Sequence, residues 1–375
     1  MIHPVSSSPS FGDILNQWVS GKPPNSSAWQ KLVTAELAQP ERAKAFGITS
    51  DNVEEKLEAR SRLFLSVYTD VLALPSFAHK IQDNSENFEY IQTNIILSLW
   101  RLWLPLAIQL AESRQQLWRP LIQGILGGQG TGKTTLAVVL KLILAQLGYR
   151  TLSLSIDDLY KTYQERQRLR EKDPRLIWRG PPGTHDVELG VQVLDELRSH
   201  NSSDSILVPR FDKSAWEGAG DRTDFEPVQN ADIVLFEGWF VGVRPVAATV
   251  FAGATPAPIE TESDRAFARD MNERLKAYLP LWERLDRLIV LYPIDYRLSL
   301  QWRRQAEAEM IATGKSGMSD SQINEFVKYF WKALHPELFI TPLIHNPDWV
   351  NLVIEINSDH TPDRVYQPEN DEKGL

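Results

Sequence analysis

An eight-residue stretch, GGQGTGKT at positions 127–134, restricts what this chain can fold into more than any other part of it. It matches the pattern G-x-x-x-x-G-K-[ST] and lies between an apolar run ending at Leu126 and a helical pattern opening at Thr135. Glycines let the backbone turn its N–H groups toward a phosphate, and the helix N-terminus adds a favourable dipole. The stretch therefore predicts a nucleotide-phosphate site built from a strand, a loop and a helix.

Two side chains of this loop have an expected role. Lys133 supplies a mobile positive charge for the phosphates, and Thr134 offers its hydroxyl to magnesium. The nucleotide-binding residues predicted here are Gly127, Gln129, Gly130, Thr131, Gly132, Lys133, Thr134 and Thr135. The alternative interpretation is an ordinary glycine-rich turn before a helix.

The composition favours a soluble globular enzyme. Of 375 residues, 42% are hydrophobic, which is enough for a large core in one or two domains. Forty basic and 49 acidic residues give a net charge of −9, which argues against sequence-independent binding of nucleic acid or anionic lipid by the whole surface. The absence of cysteine excludes disulfides, thiolate metal sites and cysteine nucleophiles. The first residues lack the features of a signal peptide, and we predict a cytoplasmic location.

Two patterns divide the chain. Residues 1–118 predict a helical N-terminal region, and residues 119–375 predict an α/β domain in which strands and helices alternate. The predicted strands are rich in Leu, Ile and Val, as in a parallel sheet buried on both faces. They are Leu121 to Leu126, Thr151 to Ile156, Asp232 to Phe236, Leu288 to Leu291, and Asn351 to Ile356. The acidic tail after Asp359 is predicted to be loose.

Long segments interrupt this alternation at residues 160–230 and 252–264, and structured insertions of this length are usually functional. Helical patterns follow at about residues 265–285, 295–313 and 319–334. The most apolar run, residues 95–110, contains Arg101 and Pro105, so we interpret it as a buried helix rather than a membrane span.

Two further strand ends should meet the loop, because ligands in open α/β sheets bind at the carboxyl ends of the strands. Asp157 and Asp158 follow the second predicted strand, where a carboxylate could orient a substrate hydroxyl and accept its proton. Either acid could instead cap the helix that follows. Glu237 ends a run of apolar residues, and in nucleotide-binding proteins an acid in such a place holds magnesium. Any buried strand that ends in Glu has the same pattern.

Several sequence motifs occur together in an order typical of one enzyme family. They are the loop at 127–134, SIDDLY at 155–160, WRGPPGTHD at 178–186, VPRFDKSAWEGAGDR at 208–222, LFEGW at 235–239 and WRRQAEAEM at 302–310. This set closely resembles the plant-type D-glycerate 3-kinase family, a branch of the P-loop kinases that includes uridine kinase, pantothenate kinase and phosphoribulokinase. The resemblance covers roughly two thirds of the chain.

The resemblance implies an α/β P-loop kinase fold with a parallel five-stranded core sheet flanked by helices. It implies ATP-dependent phosphorylation of D-glycerate to 3-phosphoglycerate. In related kinases the carboxylate that matches Asp157 is the catalytic base, and the acid that matches Glu237 organises Mg²⁺ together with Thr134. The residues that we expect to be catalytic are Lys133, Asp157 and Arg303, and the expected metal ligands are Thr134 and Glu237.

Arg303 lies in the part of the chain that corresponds to a helical lid, at about residues 295–334. A basic side chain of that lid is expected to cover the transferring phosphate. The family often has Trp-Arg-Leu-Gln where this chain has Trp-Arg-Arg-Gln at 302–305, so either Arg303 or Arg304 could act. Helical spacing places Arg304 and Arg297 on one face and Arg303 on another, so the three cannot all reach one phosphate.

The first insertion is expected to shape the acceptor site, because Pro209, Phe211–Asp212 and Arg222 resemble the P-x-[YF]-D…R element of uridine kinase and phosphoribulokinase. Glycerate is a small carboxylate, so its site needs at least one cation. The predicted substrate-binding residues are Asp157, Tyr160, Arg179, His185, Arg210, Lys213 and Arg222. A solvated charged loop is the alternative for the cluster, and a structural hydrogen bond is the alternative for His185.

Two rivals to a glycerate kinase remain. One is a kinase of the same fold that acts on a nucleoside, pantothenate or a sugar phosphate, and the other is an ATP- or GTP-hydrolysing switch without an acceptor. A carboxylate placed for a hydroxyl and a basic insertion argue against the switch. Neither nucleic acid nor a membrane is expected as a partner, and the sequence does not indicate the oligomeric state.

Overall fold

The structure, a computed structural model, describes residues 9–83, 87–199, 205–312 and 317–369. Parts of the predicted N-terminal region (1–8), insertion (200–204), lid (313–316) and tail (370–375) lie outside these ranges. The strands are β1 (Leu121–Gly127), β2 (Thr151–Ser155), β3 (Ile206–Val208), β4 (Phe211–Asp212), β5 (Asp221–Arg222), β6 (Glu226–Val228), β7 (Ile233–Gly238), β8 (Arg287–Pro293), β9 (Leu352–Ile356) and β10 (Pro362–Tyr366).

Helices flank these strands on both sides. They are α1 (Phe11–Val19), α2 (Ser26–Leu37), α3 (Pro40–Ala45), α4 (Val53–Leu72), α5 (Pro75–Asp83), α6 (Phe88–Ser98), α7 (Leu104–Gln115), α8 (Lys133–Gln146), α9 (Tyr163–Lys172), α10 (Val187–Arg198), α11 (Glu262–Leu275), α12 (Leu279–Trp282), α13 (Leu298–Ala312), α14 (Asp320–Ala333) and α15 (Pro336–Phe339). The predicted helix at 265–285 is divided into α11 and α12, because Pro280 cannot continue a helix and instead starts a new one.

The described residues form a central sheet with the strand order β10-β9-β8-β1-β7-β2. All neighbours in it are parallel except β10, which runs antiparallel to β9. The five predicted strands are confirmed, each within two residues of its expected bounds. Runs such as β1, in which every residue is buried, form strands covered on both faces.

The prediction of a loose tail was wrong for residues 362–366, which form β10 at the edge of the sheet. In this strand only Val365 is buried. The strand is therefore held mainly by backbone pairing with β9, and an apolar pattern could not reveal it. The core sheet is thus five parallel strands plus one antiparallel edge strand.

The apolar residues of the strands alternate between two hydrophobic clusters, one on each face of the sheet. Ile125 of β1 joins the first cluster and Ile122 joins the second, as the two-residue period of a strand requires. The helices from α1 to α8 contribute to the first cluster, whereas α10, α11 and α14 contribute to the second. The N-terminal helices are therefore one layer of the fold, and they share a core with the helix that follows the glycine-rich loop.

The apolar run at the end of the N-terminal region is a core element. Residues 88–115 form the one described helical run that is long and apolar enough to cross a membrane, yet 67% of its most apolar window is buried in the protein. Trp100, on a π-helical turn between α6 and α7, is fully buried, and its ring lies 5.3 Å from that of Phe64. The interpretation of residues 95–110 as a buried helix is consistent with this packing.

A buried ion pair holds the N-terminal helices together. Arg60 of α4 donates to both carboxylate oxygens of Glu36 of α2 at 2.9 and 3.3 Å, and Arg42 lies 3.6 Å from the same carboxylate. All three side chains are less than a tenth exposed. Burial lowers the pKa of Arg42 to about 10, although Glu36 opposes that shift. One carboxylate thus serves two buried guanidinium groups.

We predict that Glu36→Gln lowers the free energy of unfolding by about 3–5 kcal/mol, because it leaves two buried cations without their counter-charge. Urea denaturation monitored by circular dichroism measures this change. The matched control is Glu58→Gln, which breaks an exposed pair with Arg62 at 3.8 Å in the same helical layer and should leave stability almost unchanged. Equal effects of the two substitutions would contradict the prediction.

Candidate active site

The loop between β1 and α8 has the geometry that its glycines predicted. Gly130 and Gly132 adopt left-handed backbone angles, with φ of 79° and 87°. Inside the turn, the Thr131 hydroxyl and the Lys133 ammonium both donate to the carbonyl of Gly128, each at 2.9 Å. The predicted nucleotide-binding residues all belong to this one turn and the start of α8, where backbone amides point out from a helix N-terminus.

Lys133 is the charge at the centre of the site. Burial lowers the pKa of its ammonium group, while the nearby carboxylates of Glu237 and Asp157 oppose that shift. These acids come from different strands, so the three strand ends meet at the loop as expected. The site therefore holds a desolvated cation between two anions, an arrangement that can receive further negative charge from a polyphosphate.

Glu237 reaches the loop through strand register. In the parallel pairing of β1 with β7, Glu237 lies opposite Ile125, close to the loop that follows β1. The Thr134 hydroxyl donates to Oε1 of Glu237 at 3.3 Å. Burial raises the pKa of Glu237, and Lys133 counteracts this. The sequence pattern around Glu237 was only weak evidence for a metal ligand. The structure places Glu237 beside the hydroxyl of Thr134, the other predicted magnesium ligand.

These two oxygen donors fit a magnesium ion. Mg²⁺ prefers hard oxygen ligands and usually keeps several waters, taking one or two protein ligands together with substrate phosphates. Across the part of the chain that the structure describes, His, Cys, Asp and Glu side chains form no cluster of three or more suited to a metal. A site made by Thr134 and Glu237 would thus depend on the phosphates of a nucleotide to complete its coordination.

Asp157 stands at the end of β2, in a 3-10 turn whose first amides are capped by Ser155. Its Oδ2 lies 2.7 Å from the ammonium group of Lys213, and it accepts a hydrogen bond from the Tyr160 hydroxyl. Burial alone would raise the pKa of Asp157, but the charge and hydrogen bond of Lys213, together with the Tyr160 hydrogen bond, hold that pKa below the usual range. Asp157 is therefore a partly buried, ionised carboxylate close to Lys133 of the loop.

Asp158 has a different environment from its neighbour. Its side chain accepts from the backbone N–H of Ser155 at 2.9 Å, completing a capping box, and from Arg210 at 3.1 Å. Burial raises the pKa of Asp158. Of the two acids, Asp158 is thus the structural cap.

The predicted substrate-binding arginines lie around Asp157, but their partners differ. Arg210 pairs with Asp158 and with Glu226, the latter at 2.6 Å, and Arg222 pairs with Asp186 at 3.1 Å. Their positive charges are therefore compensated by the protein.

Arg179, in contrast, donates to the neutral carbonyls of Gly218 and Ala219 at 2.7 and 3.0 Å. Its guanidinium lies 5.9 Å from the ring centre of Tyr160. None of the ion pairs that the described residues make with carboxylates includes Arg179. Arg166, which the sequence analysis did not single out, is held by the carbonyls of Ala219 and Gly220. These two arginines retain charge for an anion.

His185 is a buried structural residue next to the site. Its Nδ1 hydrogen-bonds to the Tyr278 hydroxyl at 2.8 Å, and its ring stacks on Tyr160 at 4.5 Å. Burial lowers the pKa of His185 to about 3, despite the nearby charge of Asp157, so the ring is neutral at physiological pH. Its stacking helps to hold Tyr160, the hydrogen-bond donor to Asp157. Tyr278 had no sequence signal, because its partner is distant along the chain.

The first lid helix, α13, packs directly on the loop. A Cβ atom added to Gly130 would lie 2.5 Å from Cβ of Trp302, and the Trp302 indole donates to the carbonyl of Ser358 at 2.9 Å. Arg303, the next residue, forms an ion pair with the buried Glu307 and lies over the Phe326 ring.

Arg304 has different partners, both on α14: it donates to Asn324 at 3.2 Å and lies 3.9 Å from Asp320. Arg297 pairs with Asp295 at 3.2 Å, before α13 begins. The three basic side chains of the lid therefore have separate partners, and because Arg297 precedes α13, it does not share a helix face with Arg304 as the spacing had predicted.

Known proteins with similar sequences are kinases. No protein-family model matches the chain. The D-glycerate 3-kinase, chloroplastic, of Arabidopsis thaliana is 34% identical over 256 residues, which is 65% of this chain and 54% of that protein. This chain thus spans about half the length of the plant relative. An uncharacterised kinase of Schizosaccharomyces pombe is 32% identical over 220 residues, which is 56% of this chain and 79% of that protein.

A solved structure has the same fold. The D-glycerate 3-kinase of Cryptococcus neoformans superposes with a TM-score of 0.62 at 28% sequence identity. The match covers 96% of the fungal chain and 70% of this one. The mostly parallel sheet, the glycine-rich loop and the flanking helices are therefore those of a P-loop kinase.

Proposed function

This chain belongs to the P-loop kinase family that contains D-glycerate 3-kinase, and on that basis we propose that it phosphorylates D-glycerate at its 3-hydroxyl with ATP. The observation that carries the proposal is the ionised carboxylate of Asp157, held by Lys213 at 2.7 Å and placed at the strand end next to Lys133. An ATP-hydrolysing switch has no need of a carboxylate positioned for an acceptor hydroxyl.

The proposed reaction is an in-line transfer. Backbone amides of the loop at 127–134 and the Lys133 ammonium hold the phosphates of ATP. Thr134 and Glu237 would hold Mg²⁺, which when bound would neutralise charge on the phosphate oxygens. Asp157 accepts the proton of the acceptor hydroxyl. At the same time the oxygen of that hydroxyl bonds to the γ-phosphorus, and the bond between the γ-phosphorus and the bridging oxygen of ADP breaks. Arg303, which follows the Trp302 that packs on the loop, covers the charge that develops.

A carboxylate-bearing acceptor suits the charges of the insertion. Arg179 is fixed by neutral carbonyls near the ring of Tyr160, and Tyr160 hydrogen-bonds to Asp157. A small acid bound with its carboxylate on Arg179 would keep a hydroxyl near Asp157. Arg210 and Arg222 support the walls of the site through their carboxylate partners, and Lys213 acts on Asp157. We propose that His185 positions Tyr160 rather than binding glycerate.

The proposed acceptor is compatible with either of two locations. We predict a cytoplasmic enzyme from the sequence, whereas the relative from Arabidopsis is chloroplastic. The chemistry of the site is the same in both compartments.

An acceptor panel tests the proposed function. Purified protein with ATP and Mg²⁺ is mixed with D-glycerate, L-glycerate, uridine, pantothenate or ribulose 5-phosphate, and ADP release is followed with a coupled assay. We expect turnover with D-glycerate and a phosphorus NMR signal of the 3-phosphate. Lys133→Ala serves as the blank for contaminating kinases. If another acceptor is preferred, that compound replaces D-glycerate as the proposed substrate. ADP release without any acceptor would favour an ATP-hydrolysing switch.

Asp157→Asn is expected to lower kcat by about 10²-fold or more with little change in ATP binding, because a positioned base contributes on that order. Steady-state kinetics and equilibrium binding of ATP measure the two effects. Asp158→Asn is the matched control, because Asp158 caps the turn and pairs with Arg210. Asp158→Asn should reduce stability more than turnover. If it lowered kcat more than Asp157→Asn does, Asp158 would be the base and Asp157 the structural residue.

Lys213→Met should move the acidic limb of the kcat/KM profile to higher pH. Lys213 lowers the pKa of Asp157, so removing it leaves the burial that raises that pKa. The reactive form is the carboxylate, which is present above the pKa of Asp157 and lost as pH falls through it. The loss therefore begins at higher pH in the variant. Lys172→Met, at an exposed position of the same insertion, should leave the profile in place, and an unmoved limb in Lys213→Met would refute the pairing.

A further inference from the structure

A cavity of about 340 Å³ opens beside the glycine-rich loop, and the proposed phosphoryl transfer does not use it. One wall consists of Gly130, Thr131 and Gly132 of the loop with Thr135 of α8, and another consists of the segment 359–362 after β9. Most of the remaining lining comes from the N-terminal helices, together with Leu136, Leu291 and Ile356 of the kinase core. The volume lies at the lower end of the range of ligand pockets, about 300–1,000 Å³.

The N-terminal wall is one face of helix α6. Tyr90, Ile91, Asn94, Ile95 and Ser98 all line the cavity, and their spacing places them along one side of a helix. Two members of this largely apolar face, Asn94 and Ser98, are polar and one turn apart. Within the described ranges, neither the Asn94 amide nor the Ser98 hydroxyl has a hydrogen-bond partner. Both groups can therefore bond to a ligand in the cavity.

A polar residue elsewhere on the same helix is different. Thr93, beside Asn94 in sequence, accepts a hydrogen bond from Asn16 at 2.9 Å and does not line the cavity. A polar side chain of α6 that faces the N-terminal core can thus find a hydrogen-bond partner within the protein, whereas the polar side chains that face the loop remain available to a ligand.

Aromatic side chains suit this cavity to a flat ligand. Phe77 and Trp103 stack on each other at its base, with ring centres 5.5 Å apart and planes 22° from parallel. Tyr90 stands at its mouth with 62% of its surface exposed. Aromatic rings and apolar walls favour a planar heterocycle. An amide beside them offers one donor and one acceptor, the pair that matches the edge of adenine.

The cavity begins where a bound triphosphate would end. Thr135 lines it, and the preceding residue, Thr134, donates its hydroxyl to Glu237 at the proposed metal site. A nucleotide with its phosphates on the loop therefore directs its nucleoside toward α6.

We propose that helix α6 of the N-terminal region binds the adenine base of the nucleotide, with Asn94 and Ser98 bonding to its edge and Tyr90 covering its face. This inference rests on the proposed function for the identity of the nucleotide. It makes the N-terminal helices a part of the nucleotide site, beyond the loop and lid of the kinase core.

Equilibrium binding to the full chain, without acceptor, tests the assignment. We expect Asn94→Ala to weaken ADP binding by about three- to tenfold, the usual range for one lost hydrogen bond, while binding of inorganic triphosphate stays the same. Gln92→Ala, on the same helix but outside the cavity lining, should bind ADP like the wild type. Equal weakening for ADP and triphosphate would overturn the inference, as would unchanged ADP binding in Asn94→Ala.

Hydrogen–deuterium exchange gives a second measurement that requires no variant to fold. ADP should slow exchange in residues 88–103, whereas inorganic triphosphate should slow it only around residues 127–135. Failure of ADP to protect α6 would overturn the inference. Because both experiments omit the acceptor, their outcomes are separate from those of the acceptor panel. If the panel fails and ADP still protects α6, only the proposed substrate is wrong.

Discussion

The partly buried ammonium group of Lys133 is the charge on which the arrangement of the site depends. A desolvated cation is stable only near compensating charge, and here Glu237 and Asp157 supply it from two neighbouring strands. Their positions follow from the parallel register of β1, β7 and β2, in which Ile125, Glu237 and Ser155 lie at the same level of the sheet. The strand register that packs the hydrophobic core thus also determines where the charges of the site lie.

Much of this could be predicted from short stretches of sequence. The loop at 127–134, the five parallel strands and the acids at two strand ends all rely on local spacing, which the backbone translates directly into geometry. Asp157 and Glu237 do meet at the loop, since parallel strands end at the same edge. The roles of the individual residues in binding and catalysis stay predictions.

What the sequence could not predict depends on partners that are distant along the chain. Arg210 and Arg179 look alike as isolated basic residues, but one is paired with Asp158 and the other with carbonyl groups only. The strand β10 has one buried residue and no apolar pattern. The contact of Trp302 with Gly130 joins a lid helix to the loop across more than 170 residues. Composition and periodicity contain no information about such pairs.

The edge strand β10 has a consequence for how the chain reaches this fold. Arg364 of β10 bonds to Glu41 of α3 at 2.9 Å, and Val365 lies in the same hydrophobic cluster as Leu15 and Leu32. The N-terminal helices leave the ribosome well before the strands β8, β9 and β10 that complete their core. Contacts of such long sequence separation form late, because closing the intervening chain costs entropy. The N-terminal helices must therefore wait, with part of their apolar surface exposed, until β8, β9 and β10 have been synthesised.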